Sequence, residues 1–123
     1  MWKYDYLPVA QECANLLIEL NRIINKFPRD YKYSYWTHIE NNAINTLTKI
    51  TMTAEYISKK KKSDCLEDAI VALSSLKVLW RVCNKIAIID DVKYLKITEN
   101  IISIERQLHW RINSIGEREY NDK

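Results

Sequence analysis

Lys77, Arg81 and Lys85 follow one another at i, i+4 and i+8. On a helix that spacing sets three cations in a line along one face. Such a line can hold phosphates by point charge and counterion release, and arginine adds bidentate contact. No acid lies within the same predicted helix beyond Asp68, so the row has no partner on its own helix; Trp80 and Asn84 flank it. From Lys59 to Ile86 there are seven basic and three acidic residues, a net of +4 where the whole chain carries +3. Four of those cations, Lys59 to Lys62, lie together at one end of the helix, and Arg106 and Arg111 are added further on. A solvated helix face behind a lysine-rich solubilising loop has the same composition, and the residues alone leave both readings open. Neither a recognition-helix motif nor an aromatic RNA-binding sheet is present, so base-specific readout is not expected.

Few other side chains have spacing suited to chemistry. The two histidines are His38 and His109, with Glu105 four residues before the second. A di-iron bundle needs Glu-x-x-His twice and two further inward glutamates. Neither the spacing nor the duplication occurs. The Arg-x4-6-His signature of helical-bundle ribonucleases, HExxH, a phosphate-binding loop and paired carboxylates on an apolar face are also missing. Structural or solvent-facing roles are expected for both histidines; RNA cleavage dependent on His109 is the enzymatic alternative. Cys13, Cys65 and Cys83 form an odd set without CxxC spacing. Cys13 and Cys83 fall on apolar stripes, where cysteine acts as a small hydrophobe. The only glycine is Gly116, which argues against loops that bring backbone close to a ligand. The chain is therefore expected to be a non-enzyme with neither metal nor cofactor.

The elements that must position the row are helices. Apolar residues recur every three or four positions over four stretches, at approximately 8–27, 33–59, 64–87 and 91–116. The first stripe runs Val9, Cys13, Leu16, Leu17, Leu20, Ile23, Ile24 and Phe27, opened by Pro8 and broken by Pro28. The second runs Trp36, Ile39, Ala43, Leu47, Ile50, Ala54 and Ile57, with Ser34 as its candidate cap. Asp64 and Glu67 suggest a capping box before the third: Leu66, Ala69, Ile70, Leu73, Leu76, Leu79, Val82, Cys83 and Ile86. Asp90-Asp91 opens the fourth, which carries Tyr94, Ile97, Ile101, Ile104, Leu108, Ile112 and Ile115, and Gly116 is the expected stop. Short connections between such helices predict an all-α, up-down-up-down antiparallel four-helix bundle, one domain over residues 1–123.

No stretch approaches a membrane span, and the first residues lack a signal-peptide pattern. A cytoplasmic protein is the expectation. Aromatic residues are plentiful, with four tryptophans and eight tyrosines. Trp36, Tyr94 and Trp110 can be placed near the core seams. The alternating sets Trp2, Tyr4, Tyr6 and Tyr31, Tyr33, Tyr35 fit either the bundle ends or a partner interface.

Several segments together carry a family likeness. Lys26-Phe27-Pro28-Arg29 ends the first helix; Tyr31 to Ile39 and Asn41-Asn42-Ala43 lead through the second. Leu73 to Asn84, with Leu79-Trp80-Arg81-Val82, forms the third, and Ile104 to Ile115 carries Gln107, Leu108 and Trp110. In order and spacing, over nearly the whole chain, this resembles the accessory variability determinant (Avd) proteins of diversity-generating retroelements. Those are related to small four-helix proteins encoded in intervening sequences of bacterial large-subunit ribosomal RNA genes. The arginine-rich start of the second helix common among the ribosomal relatives is missing, which points to the retroelement branch. The resemblance implies a ring-like homopentamer with a basic central channel. It implies association with a reverse transcriptase and its template RNA or an RNA–DNA hybrid, in support of adenine-directed mutagenic cDNA synthesis, with no catalytic residues supplied. Lys77 and Arg81 match the family's basic positions on the third helix, and Lys85 extends them. The chain is only mildly basic, although a fivefold ring would concentrate whatever charge faces inward. A purely structural protein–protein interaction bundle is the alternative.

Overall fold

A computed structural model of the chain describes residues 7–121, apart from the side chains of residues 7, 31–33 and 117–121. Trp2, Tyr4 and Tyr6, and the side chains of Tyr31 and Tyr33, thus lie outside the described residues. Four long helices, α1 (Leu7–Ile24), α3 (Thr37–Thr53), α4 (Lys59–Lys85) and α5 (Asp91–Asn121), account for most of these. A single turn, α2 (Arg29–Tyr31), and a π-helical stretch, Lys32–Trp36, lead into α3. No strand occurs among the described residues. α1 packs on α3 and α5, and α4 packs on α3 and α5, so the four long helices enclose one core.

The core follows the apolar spacing closely. α1 buries Val9, Cys13, Leu16, Leu20 and Ile24, and α5 buries Ile97, Ile101, Ile104, Leu108 and Ile115. α4 buries Leu66, Ala69, Leu73, Leu76, Trp80 and Cys83, in alternating steps of three and four that keep one stripe inward. Trp80 rather than Leu79 continues that stripe, and Trp110, placed at a seam by the sequence pattern, is 65% exposed. α3 buries Ile39, Ala43, Thr46, Ile50 and Thr53. The two threonines can be buried because their hydroxyls are satisfied within the helix, Thr46 Oγ1 donating to Asn42 O at 2.8 Å and Thr53 Oγ1 to Lys49 O at 2.7 Å.

Several helix ends differ from the sequence expectation. α1 leaves the α pattern after Ile24, where Lys26 and Phe27 N–H groups bond to Ile23 and Ile24 O, three residues back. The segment after Pro28 is helical rather than a link, and Ser34 Oγ donates to Asp30 O instead of capping a helix. α3 stops at Thr53, six residues early, and Ile57 is 94% exposed. α4 begins at Lys59, not 64, because Ser58 is the cap: its Oγ accepts from the Lys61 N–H at 3.4 Å. Asp64 instead pairs with Lys60 at 3.4 Å. α5 is capped as expected, Asp90 Oδ1 accepting from the Lys93 N–H at 2.8 Å. That bond holds the Asp90 carboxyl below its ordinary pKa. α5 then runs through Gly116, which is not a stop.

The end of α4 is built on an alanine in left-handed conformation. Ala87 has φ 62°. The Ile88 N–H bonds to Cys83 O and the Ala87 N–H to Asn84 O, both at 3.0 Å. This is the paired bonding of a Schellman motif, whose left-handed position is normally glycine. A Cβ there is strained. Ala87→Gly should therefore stabilise the protein by about 1 kcal/mol and raise Tm by roughly 3–5 °C in thermal unfolding. A fall in Tm would show that the alanine carries no strain.

Candidate nucleic-acid interface

The rotation of α4 is fixed by its buried stripe, and that sets where each cation points. Four residues advance about 400° around a helix, so each step along the row turns it by about 40°. Lys77, next to buried Leu76, lies at the α4–α5 seam; Arg81 and Lys85 turn progressively into solvent. The three are not equivalent. Lys77 Nζ donates to both Glu105 oxygens, at 3.1 and 3.2 Å. The side chains of this pair are 39% and 19% exposed. Ser74, three residues before Lys77, donates to the same carboxylate at 3.5 Å. The expectation of an uncompensated line thus holds within α4 and fails across to α5, because the neutralising acid is 28 residues away in sequence.

Arg81 and Lys85 are exposed, and neither has a carboxylate partner among the described residues. Lys85 also closes the last turn of α4, where a cation complements the helix dipole. The two flanking residues are structural. Trp80 is fully buried, its Nε1–H donating to Tyr94 O at 3.2 Å, and is not available for stacking on a base. Asn84 Nδ2 donates to Ile89 O at 3.2 Å and Asp91 Oδ1 at 2.9 Å, clamping the α4–α5 turn. At the other end of α4, Lys60 pairs with Asp64, while Lys59 and Lys62 are likewise engaged. On α5, Arg106 is exposed and Arg111 is half-buried and engaged.

The other candidate groups do not come together. His38 and His109 are both exposed, and Glu105 serves Lys77. No cluster of three or more His, Cys, Asp or Glu suited to a metal occurs among the described residues. All three cysteines are free and buried. Burial pushes Cys13 up to about 12, assisted by the Glu12 charge, and Cys83 up to about 11. Cys65 Sγ donates to Lys49 O at 3.1 Å.

A second surface feature escaped the sequence reading. The exposed positions of α1 from Gln11 to Asn21 (Gln11, Asn15, Ile18 and Asn21) carry no charge. Those of α3 from Thr37 to Met52 carry no formal charge with His38 neutral. Between the two helices runs an open groove of about 310 Å³, lined by Leu17, Ile18, Ile24 and Ile44, with Glu40 its one charged lining residue among the described residues. Depletion of charge is the compositional mark of a protein–protein interface core. The signal was present in the sequence as exposed-face Asn, Thr and Ile on two helices, but only packing shows that the two faces adjoin. Among the described residues no helix is long and apolar enough to cross a membrane. No protein-family model matches the chain, and no curated protein sequence is significantly similar to it.

Proposed function

We propose that this protein is a non-catalytic accessory factor of a diversity-generating retroelement, of the accessory variability determinant kind. In this reading it works in the cytoplasm and holds template RNA, or an RNA–DNA hybrid, near the reverse transcriptase through the cations of α4. The observation that carries the reading is the exposure of Arg81 and Lys85 without carboxylate partners among the described residues. Lys77 is a reserve contact, already occupied by Glu105. The same reading takes the helices as up-down-up-down and antiparallel. Lys49 near the end of α3 meets Asp68 early in α4; Trp80 late in α4 meets Tyr94 early in α5; Glu19 late in α1 meets Lys96 early in α5. The homo-oligomer, a pentamer by resemblance, draws support from the uncharged α1–α3 face.

The test is binding of a single-stranded RNA across a salt series, comparing the wild type with an Arg81→Glu/Lys85→Glu double variant. Both positions are exposed and outside the core, so helicity should be unchanged. Affinity should fall by at least about tenfold, and the salt dependence should lose about two phosphate contacts. Lys77→Glu is a poorer probe, since it would set a second carboxylate against Glu105. Unchanged affinity in the double variant would overturn the reading. The uncharged face favours a second reading, a structural module that binds only protein. That reading predicts no salt-dependent RNA binding by the wild type.

A further inference from the structure

We propose that the Glu105 carboxylate stands where a phosphate would bind, and that it keeps the first position of the α4 row closed until a polyanion displaces it. This rests on the reading of α4 as a polyanion-binding face and adds a masked subsite to it. The cradle is specific in composition. Ser74 and Lys77, on neighbouring turns of α4, present a hydroxyl at 3.5 Å and an ammonium at 3.1 and 3.2 Å to the same two oxygens. A hydroxyl and an ammonium so placed recognise any oxyanion, whether carboxylate or phosphodiester. The occupant comes from α5, so it closes the site without contributing anything to the row on α4.

The mask is removable. The side chains of Lys77 and Glu105 are 39% and 19% exposed, so the pair is part-buried but its ammonium remains open to a competing anion from solvent. A polyanion already held at Arg81 and Lys85 presents its next phosphates at high local concentration to a site one helical turn away. The Lys77 ammonium can then exchange one anion for the other without moving its backbone, while Glu105 swings toward the solvent that Arg106 already faces. The mask therefore sets a threshold: isolated anions and short oligonucleotides meet a neutral pair, and a longer strand meets three cations.

Glu105→Gln keeps the side chain's size and its ability to accept from Ser74, but removes its charge. With a fluorescein-labelled oligouridylate as probe, this variant should bind about five- to tenfold more tightly than wild type. Its salt slope should be steeper by about one phosphate contact. Lys77→Met in the Glu105→Gln background should erase the gain. Glu99→Gln, which removes an exposed charge from the same helix, should leave affinity within about twofold. Circular dichroism verifies that each variant is folded. If wild type binds through Arg81 and Lys85 while Glu105→Gln gains nothing, or no more than Glu99→Gln, the mask is refuted and the polyanion-binding reading stands. If neither wild type nor Glu105→Gln binds the probe at low salt, both are overturned.

Discussion

Trp80→Ala should destabilise the fold by about 3–5 kcal/mol, the range for removing a fully buried large aromatic side chain. Trp80 is the largest fully buried side chain among the described residues, and its indole N–H ties α4 to the backbone of α5. A protein of this size has about 5–15 kcal/mol to lose, so the variant should sit near the margin, with its denaturation midpoint shifted far down in guanidinium. Trp80→Phe separates packing from hydrogen bonding. It keeps most of the ring volume but removes the indole N–H bond to the Tyr94 carbonyl, at about 0.5–1.5 kcal/mol. If Trp80→Ala lost less than about 1 kcal/mol, the tryptophan would not be the anchor of the α4–α5 seam.

Native cysteine reactivity offers the second large effect. The thiolate is the reactive form. With Cys13 raised from 9.0 to about 12 and Cys83 to about 11, their thiolate fractions at neutral pH fall by about a thousandfold and a hundredfold. Iodoacetamide should accordingly alkylate both residues at least that much more slowly in the native protein than in the guanidinium-unfolded chain, with mass spectrometry reading each site. Alkylation of Cys13 at the unfolded rate under native conditions would contradict its burial. The same shifts bear on stability. Below pH 9 the thiols are protonated in both states and contribute no pH dependence. Above it the unfolded chain ionises while the native one does not, so stability should fall as pH rises from about 9 toward 11–12.

Most of the fold was readable because its core repeats in steps of three and four. The α5 stripe of Ile97, Ile101, Ile104 and Leu108 is buried as its spacing predicts. In α4 the same rhythm from Leu73 through Leu76 reaches Trp80 and Cys83, and following the step rather than the aliphatic type would have found the tryptophan. Thr46 and Thr53 were overlooked for a related reason: their polarity hides a place in the rhythm that back-bonding makes affordable. Helix ends were less legible. Ser58 outcompetes the D-x-x-E pattern at Asp64, and Ala87 takes a conformation that usually announces itself as glycine. The row on α4 was legible as a line but not as a charge, because periodicity describes one helix at a time. Glu105 reaches Lys77 only through the packing of α5, and no spacing rule within α4 carries that information.

The order of contacts around the bundle also bears on how the molecule assembles. Three of its four helix pairings, α1 with α3, α3 with α4 and α4 with α5, join successive long helices. The ties across the latter two span 14 to 31 residues. The fourth, between α1 and α5, is sealed by Gln107 Nε2 donating to Glu12 Oε2 at 2.6 Å across 95 residues. Loop-closure entropy grows with that separation, and chains rich in local contacts fold fast. The sequential pairings can therefore form early, leaving the α1–α5 seam as the last to zip up and the first place where the native bundle opens.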